Sequence, residues 1–439
     1  MYSMKEPSFT INNSTCFLQG ASHLINEVGS ILLYSGGNYD TSEASYLFLF
    51  PFEKIEILAS SENPWGELKE QLQLDQSNAC DLPLWVGYLS YELGYATEEI
   101  FTPSDDNSNY LAYFQKFKIT IRFCHSTNTI AVFVINNILL ENEQKILQVI
   151  VNQGFWNRSY FKPLTPSKIK NIKRKGSDDY KKAIEAIKEL ILDGEVYQLN
   201  LSQEFIFSGS FDPVSIYFAL LQKSPNPYSA ILNLEQETIV SISPEKFLSL
   251  KKGQLETRPI KGTIAATVLD GKKKLLNSEK NLSELMMIVD LMRNDLSRVS
   301  QVGSVKVKEL VRCENYHSIY HLFSIIQAVA IPKIHSLEII KACYPAGSIT
   351  GCPKIRAMEY IQRFEKRNRH VYTGSIGYFS QNGDFNFNVA IRTLIFKEEE
   401  LRVQLGGAIV IDSEPENEYE ETLDKGLSIF NAIGFNPHE

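Results

Sequence analysis

Residues 257–263 read T-R-P-I-K-G-T and place a single lysine between a proline and a Gly-Thr pair. A lysine amine becomes a nucleophile when burial or nearby positive charge lowers its pKa. Sixteen residues earlier, Glu245 follows Ser243-Pro244 at the end of a predicted strand, and its carboxyl group can act as acid and base across the same cleft. Thr263 can hydrogen-bond a substrate atom beside the amine. Taken alone, Lys261 is more often an anion contact or a plain turn residue.

A second chemical group lies near the C-terminus, where S413-E-P-E416 predicts a capping box with proline in the first helical turn. In that helix Glu418, Glu421 and Lys425 are at positions i, i+3 and i+7, which span only about 60° of the helix circumference. Two carboxylates on one face are typical of Mg²⁺ sites, because Mg²⁺ prefers oxygen ligands. The alternative is a surface ion-pair ladder, which the spacing alone favours.

A long amphipathic helix is predicted over residues 273–299, and Glu284 lies inside its apolar pattern. Burying an unpaired carboxylate costs several kcal/mol, so Glu284 needs a partner. A metal ion shared with Glu418 and Glu421 would provide one. The other charged residues of this helix can pair among themselves as structural ions.

Three further candidates are weaker when taken singly. His321 follows an apolar pattern that predicts a helix, where a buried core histidine is the usual outcome. Arg392 interrupts a predicted strand and can clamp a carboxylate or face water. The loop S348-I-T-G-C-P-K354 offers an anion the backbone N–H groups of Thr350 and Gly351 together with a lysine. It lacks the P-loop spacing, which disfavours nucleotide binding.

Composition limits the classes of protein that these groups can belong to. The chain has 439 residues, 44% hydrophobic and 22% charged, as is usual for a globular protein, and its net charge of −8 disfavours nucleic acid as the main partner. The six cysteines form no C-x-x-C pair, which predicts reduced thiols. Neither a signal peptide nor a membrane-spanning run is apparent, so we expect a cytoplasmic protein without membrane contact.

The elements that must position these residues predict an α+β protein. Residues 1–155 are a β-rich region that we expect to pack on the main body. Residues 156–176 are basic and proline-containing, and we interpret them as a solvated linker. Residues 177–435 form the catalytic region, with a helix from Ser177 to Gly194, a strand over 196–207, a hairpin turn at Asn382-Gly383-Asp384 and the final helix.

In their order along the chain, several motifs resemble those of the chorismate-utilising enzymes. This family includes the anthranilate synthase large subunit, aminodeoxychorismate synthase component I and the isochorismate and salicylate synthases. The resemblance covers most of the C-terminal 260 or so residues and implies large, mostly antiparallel sheets in a sandwich flanked by helices, the fold of anthranilate synthase component I. The matching motifs are S243-P-E-K-F247, E256-T-R-P-I-K-G-T263, E284 to D295, H321-L, S348-I-T-G-C-P-K354, Y372-T-G-S-I-G-Y378, I391-R-T-L394 and D412-S to K425.

The resemblance also implies a role for each candidate. Glu284, Glu418 and Glu421 match Mg²⁺ ligands that bind the ring carboxylate of chorismate with help from Lys425. Arg392 and Tyr372, with the backbone of Gly406 and Gly407, match the residues that hold the enolpyruvyl carboxylate. His321 matches the histidine near the leaving group, and Glu245 matches the general acid and base.

Two positions indicate a branch of the family. The P-I-K-G-T motif resembles that of the aminodeoxychorismate synthase branch, in which the lysine attacks C2 of chorismate before ammonia adds at C4. In anthranilate synthases the corresponding motif looks like P-I-A-G-T. Gln198 stands where the water-adding members carry a lysine. The alternatives are an anthranilate synthase component and a non-catalytic subunit whose metal site has decayed at Asn281, where relatives carry an acid.

The resemblance implies one macromolecular partner. The chain shows no G-x-C-x-G-like nucleophile elbow, so ammonia is expected from a separate glutamine amidotransferase subunit. Leu33-Tyr34-Ser35 replaces the L-L-E-S motif of tryptophan-inhibited members, which argues against feedback inhibition. A pocket near Ser35 and Pro227-Tyr228-Ser229 that binds tryptophan in a structural role stays an alternative.

Overall fold

The structure is a computed structural model and describes residues 2–36, 39, 43–75, 80–98, 110–135, 138–158, 161, 165–174, 176–316 and 319–438. The strands in this part of the chain are β1 (Tyr2–Thr10), β2 (Ile31–Tyr34), β3 (Ala44–Leu58), β4 (Pro83–Leu89), β5 (Tyr110–Cys124), β6 (Thr129–Ile135), β7 (Lys168–Arg174), β8 (Gln198–Ser210), β9 (Tyr228–Asn233), β10 (Thr238–Ser243), β11 (Lys246–Lys251), β12 (Gln254–Arg258), β13 (Ile260–Ala265), β14 (Lys306–Tyr316), β15 (Ile319–Val329), β16 (Gly351–Cys352), β17 (Ser375–Ser380), β18 (Phe385–Asn388), β19 (Thr393–Lys397) and β20 (Glu400–Ile409).

The helices are α1 (Ser14–Leu24), α2 (Pro64–Leu72), α3 (Glu141–Ile150), α4 (Gln153–Arg158), α5 (Ser177–Leu192), α6 (Pro213–Lys223), α7 (Gly271–Leu276), α8 (Glu279–Ser297), α9 (Ser336–Cys343), α10 (Lys354–Glu365) and α11 (Pro415–Ile433), with 3₁₀ segments at Tyr91–Thr97 and Gly347–Ile349. No helix in the described ranges is long and apolar enough to cross a membrane.

The strands form one continuous antiparallel system that folds into two halves. The first half runs in the order β7-β8-β20-β19-β10-β9-β2-β3. The second runs β5-β4-β17-β18-β11-β12-β15-β14, with β13 also on β15. The 15-residue strands β3 and β5 pair with each other and join the halves.

The two halves face each other across a buried apolar cluster. Ile31 and Ile239 from the first half pack in this cluster with Val86 and Ile376 from the second. Side chains alternate between the two faces of a strand, so the opposite faces are free to pack against helices in a larger core. The predicted α+β class and the sandwich of mostly antiparallel sheets are confirmed.

Several local predictions hold and others need correction. Helix α5 begins at Ser177 as predicted, and the hairpin turn at residues 382–384 joins β17 to β18. The helix predicted over 273–299 is broken into α7 and α8, because the Ser278 hydroxyl caps a new helix by accepting a bond from the Asn281 N–H (3.4 Å). His321 lies in strand β15, since its apolar neighbours form a two-sided buried strand rather than one face of a helix.

The segment interpreted as a solvated linker is also different in the structure. Residues 168–174 form strand β7, which pairs with the C-terminal part of β8. Ile169 and Ile172 pack against the core, while the basic side chains face outward. The lysines therefore decorate an exposed edge strand, where charge discourages pairing with other chains.

A buried ion pair fixes the loop that follows α9. The Arg369 guanidinium contacts the Glu365 carboxylate at 2.7 Å, and both side chains are almost fully buried. Arg369 also donates to the carbonyls of Ile349 (3.0 Å) and Asn200 (2.7 Å), while Glu365 accepts from the N–H of Ser202 (2.8 Å). The end of α10, strand β8 and the loop at 347–350 are thereby held together.

We predict that Glu365→Gln lowers the free energy of unfolding by about 3 kcal/mol, because it leaves the Arg369 cation buried without its counter-ion. The matched control is Glu359→Gln in the same helix, whose partner Arg356 is partly exposed, and we expect it to cost less than about 1 kcal/mol. Urea unfolding followed by circular dichroism measures both, and equal losses would contradict the buried-pair argument.

Candidate active site

Lys261 lies in strand β13 with its side chain buried; only 8% of the residue is exposed. Its Nζ donates a hydrogen bond to the carbonyl of Ser348 at 3.1 Å. The next residue, Gly262, has φ +75°, in the region that favours glycine. Burial lowers the pKa of Lys261, while the carboxylates of Glu284 and Glu245 oppose that shift. The amine is therefore more readily deprotonated than a surface lysine.

Glu245 lies between β10 and β11, where the chain passes from the first half of the sheet system to the second. Its backbone carbonyl accepts from the Val389 N–H (3.0 Å), and the Ile260 N–H approaches its carboxylate (3.4 Å). Burial raises the pKa of Glu245 to about 7, although the Ser348 hydroxyl and Lys261 oppose the shift. A carboxyl group with this pKa can both donate and accept a proton near neutrality.

His321 and Thr263 are direct neighbours on the paired strands β15 and β13. His321 is 1% exposed, and neither of its ring nitrogens has a hydrogen-bond partner within the described residues. Burial, together with the positive charge of Arg392, holds the pKa of His321 well below its usual range. The imidazole is therefore neutral, and its two unsatisfied nitrogens are available to a bound molecule.

Arg392 lies just before β19 with φ +52°, an uncommon conformation for a non-glycine residue. Burial lowers its pKa to about 10, and no carboxylate in the described part of the chain pairs with it. A guanidinium held in this way favours a bound anion, because the anion removes the cost of the unpaired charge. Tyr372 is also buried, and burial raises its pKa to about 12, so its hydroxyl remains a donor.

Three glycines allow other groups to approach the backbone closely. A Cβ at Gly406 would lie 2.5 Å from the Leu201 carbonyl across β8, whereas one at Gly407 would lie 3.4 Å from both Glu418 Oε2 and Lys425 Nζ. In the loop before α10, the Thr350 carbonyl accepts from the Asn200 N–H (2.8 Å), and Gly351 packs against the Gln198 backbone.

The lysine at the end of this loop is used elsewhere. Lys354 contacts the buried Asp295 at 2.5 Å and donates to the Cys343 carbonyl at 2.8 Å. Its ammonium is therefore committed to a structural ion pair. An anion at this loop would rely on backbone N–H groups alone.

Glu284, Glu418 and Glu421, named here the acidic cluster, come from α8 and α11. Glu418 is buried and accepts from the Ser413 hydroxyl (2.7 Å), so Ser413 does not cap α11 as the sequence predicts. Glu421 pairs with Lys425 at 2.7 Å, which lowers the pKa of Glu421. Lys425 also donates to the Gly406 carbonyl at 3.1 Å.

The acidic cluster has the donor chemistry that Mg²⁺ prefers. Burial raises the pKa of Glu284, with the other two carboxylates adding to the shift and Lys261 and Lys280 opposing it. No donor in the described chain hydrogen-bonds this carboxylate, so it is free to bind a cation. Within the same residues, no three acidic, histidine or cysteine side chains already converge as a metal centre. The three carboxylates thus offer oxygen donors to a cation, and two of these carboxylates are paired with lysines.

The four residues of the tryptophan pocket left open by the sequence lie together on another cavity. Ser35, Pro227, Tyr228 and Ser229 line a cavity of about 1030 Å³. The lining also includes Lys246, the neighbour of Glu245, but not Glu245 itself. The ligand of this cavity stays a prediction.

Sequence reasoning missed two residues that organise the site. Arg369 positions the loop that receives the Lys261 amine, and no local motif indicates that role. Lys280 donates to Glu418 Oε1 at 3.1 Å. Its position four residues before Glu284 was a usable signal, since residues at i and i+4 share a helix face.

The fold and this site define a class of protein. The sequence model of the chorismate binding enzymes matches residues 31–431, and the chain belongs to this family. The solved structure of anthranilate synthase component I from Streptococcus pneumoniae is similar, with a TM-score of 0.76, 28% identity, and coverage of 89% of this chain and 92% of that one. The menaquinone-specific isochorismate synthase of Escherichia coli shares the fold, with a TM-score of 0.75 at 16% identity.

Among particular proteins, the chain is similar to two enzymes named aminodeoxychorismate synthase component 1. The Escherichia coli protein is 42% identical over 261 residues (58% of each chain), and the Bacillus subtilis protein is 39% identical over 267 residues (60% of this chain and 57% of that one). Anthranilate synthase component 1 of Aquifex aeolicus is 37% identical over 261 residues, covering 58% of this chain and 53% of its own length. The chain therefore spans a little over half the length of these curated relatives.

Because the pKa of Glu245 is raised in the folded protein, the free energy of unfolding should depend on pH. Because the folded pKa (about 7) lies above the ordinary value of 4.5, the protonated carboxyl stabilises the folded state below pH 4.5, and this contribution is lost as pH rises through 7. We expect the free energy of unfolding, relative to Glu245→Gln, to fall by about 2–3 kcal/mol over that range. Urea unfolding at several pH values measures it.

The control for this pH series is Glu399→Gln, which removes an exposed carboxylate. We expect its difference from the unsubstituted protein to show no such fall. A difference between the unsubstituted protein and Glu245→Gln that stays constant with pH would mean that the carboxyl group is not buried as described.

Proposed function

We propose that the chain converts chorismate and ammonia to 4-amino-4-deoxychorismate through a covalent intermediate on Lys261, for 4-aminobenzoate and folate synthesis. The observation that carries the proposal is the pairing of a buried amine of lowered pKa with a carboxyl group of pKa about 7, both beside Ser348. The names of the Escherichia coli and Bacillus subtilis relatives support the same reaction.

Chorismate carries two carboxylates, and the site offers separate cationic groups for them. Arg392, with the Tyr372 hydroxyl and the backbone at Gly406 and Gly407, is proposed to bind the enolpyruvyl carboxylate. Lys425, whose Nζ lies beside Gly407, is proposed to bind the ring carboxylate. Holding both ends orients the ring, which lowers the entropic part of the barrier.

In the first step, the neutral Lys261 amine bonds to C2 of the ring, the double bond shifts, and the C4 hydroxyl leaves. Glu245 supplies the proton that converts this hydroxyl to water, while His321 and Thr263 line the same strand pair. The lysine nitrogen keeps its two protons and becomes a secondary ammonium as the new C–N bond forms. A carboxyl group with pKa about 7 is suited to this transfer because it is partly protonated at neutral pH.

In the second step, ammonia bonds to C4, the double bond shifts back and the Lys261 amine leaves C2. Glu245, now ionised, takes the proton that the added ammonia loses, and the lysine departs as the neutral amine. Enzyme and side chains return to their starting protonation states. The lowered pKa of Lys261 helps both steps, since the amine is a nucleophile and also a leaving group.

The acidic cluster is proposed to hold Mg²⁺ through Glu284, Glu418 and Glu421. Bound there, Mg²⁺ supplies a positive charge that orients the ring carboxylate and favours departure of the C4 hydroxyl. The donor oxygens and the unbonded Glu284 carboxylate support this assignment.

Ammonia is proposed to come from a glutamine amidotransferase subunit, in the cytoplasm. The words "component 1" in the names of the relatives support a second component. All six cysteines of the chain are free thiols, as a reducing compartment allows.

Anthranilate synthase component I is the second candidate, favoured by the Aquifex aeolicus relative and the Streptococcus pneumoniae structure. That reaction needs no enzyme amine at C2. The buried Lys261 amine favours the first candidate, and product mass separates them because anthranilate has lost pyruvate.

We expect Lys261→Ala to lower the rate of 4-amino-4-deoxychorismate formation from chorismate and ammonium by at least about a hundredfold. The loss follows from the missing nucleophile, and high ammonium should restore only part of it. Lys251→Ala, an exposed lysine on β11, is the matched control and should leave the rate unchanged. Product is measured by mass spectrometry; an unchanged rate and product in Lys261→Ala would show that the covalent step is wrong.

We also expect the purified chain to turn over chorismate with ammonium and Mg²⁺ but not with glutamine. Adding a glutamine amidotransferase subunit should confer glutamine-dependent turnover. Glutamine-dependent activity of the lone chain would refute the need for a partner, and loss of all ammonium-dependent activity would favour a non-catalytic role.

A further inference from the structure

Two of the three carboxylates in the acidic cluster are already bonded to lysines. Lys425 contacts Glu421 at 2.7 Å within helix α11. Lys280 contacts Glu418 at 3.1 Å and reaches it from a different helix, α8. The second contact is the less expected one, because it crosses between helices.

The Lys280–Glu418 pair differs in its burial from an ordinary surface pair. The Lys280 side chain is 46% exposed, whereas that of Glu418 is only 4% exposed. Among the described residues, the Glu418 carboxylate receives one other bond, from the Ser413 hydroxyl to the same oxygen, Oε1. A partly exposed cation therefore contacts a buried anion that the Ser413 hydroxyl also holds.

The charge of Lys280 acts on more than one member of the cluster. Burial alone would lower the pKa of Lys280, but the contact with Glu418 and the nearby carboxylates of Glu284 and Glu421 together outweigh burial, and the net shift is upward. The same ammonium opposes the rise in the pKa of Glu284. Lys280 thus compensates the negative charge of all three carboxylates.

We propose that Lys280 is the resident counter-ion of the acidic cluster, and that a divalent cation displaces it. The inference rests on the Mg²⁺ site of the proposed function and adds a residue to it. When the cation binds Glu418, the Lys280 ammonium leaves Oε1 and its exposed side chain turns toward water. Without the cation, Lys280 keeps the three carboxylates from repelling one another.

This role predicts the direction in which Mg²⁺ affinity changes when Lys280 is replaced. A cation that must displace Lys280 binds more weakly than one that meets an uncompensated cluster. Removing the charge at position 280 should therefore strengthen Mg²⁺ binding and destabilise the protein when Mg²⁺ is absent. A purely structural tie between α8 and α11 predicts the reverse for the metal, since its loss would loosen the cluster and weaken binding.

The test is calorimetric titration of MgCl₂ into full-length protein stripped of metal with EDTA. For Lys280→Gln we expect the Kd for Mg²⁺ to fall by about threefold or more, the scale of one partly exposed ion pair. Lys280→Arg keeps the charge and should bind Mg²⁺ within about twofold of the unsubstituted protein. Thermal unfolding with and without Mg²⁺ should show a larger gain in Tm on Mg²⁺ addition for Lys280→Gln.

Lys181→Gln is the matched control. Lys181 also pairs with a glutamate of α11, at 2.5 Å from Glu416, but that glutamate is not in the acidic cluster. Removing this charge should leave the Kd unchanged, which separates local displacement from a general change in net charge. A Kd that falls equally in Lys181→Gln would overturn the inference.

The outcomes also separate this inference from the proposed function. Ammonium-dependent product formation, measured apart from binding, tests the function. An unchanged or raised Kd in folded Lys280→Gln overturns the counter-ion role while leaving amination in place. Absence of any Mg²⁺ binding by the unsubstituted protein overturns the metal site and this inference together.

Discussion

The Arg369–Glu365 ion pair lies wholly inside the protein and joins the end of α10, strand β8 and the loop at 347–350. Ser348, whose carbonyl receives the Lys261 amine, belongs to that loop. The surroundings of Glu245 depend on the same loop through the Ser348 hydroxyl. This charge pair thus holds the loop that contacts the Lys261 amine and lies beside Glu245. Buried pairs of this kind are costly to break one side at a time, which makes the loop rigid.

The positive charges of the site are of two kinds. Lys261 is buried and Arg392 is partly buried, neither pairs with a carboxylate among the described residues, and burial lowers the pKa of both. Lys280 and Lys425 are partly exposed and bonded to glutamates. Lys261 and Arg392 are suited to an anionic, reactive substrate, because the substrate offsets the cost of burying an unpaired positive charge. The second kind is suited to exchange, because each ammonium can be released to water.

The spacing of charged residues predicts part of this site, and tertiary contacts decide the rest. Glu418 and Glu421 lie on one helix as predicted, although the predicted cap is wrong. The Ser413 hydroxyl donates to Glu418 and accepts from the Val410 N–H, and it accepts from no N–H of the first turn of α11. His321 was placed in a helix because its buried run in β15 has no clear period. The contact of Lys280 with Glu418 and the bonds of Arg369 join segments far apart in sequence, so no local pattern contains them.

Two strand pairings join the N-terminal region to the rest of the protein. Strand β9 pairs with β2 on one side, and β17 pairs with β4. Without these partners, β9 and β17 would each become an open sheet edge, able to recruit strands from other molecules. A segment that replaced the N-terminal region would therefore have to supply strands at the same two edges.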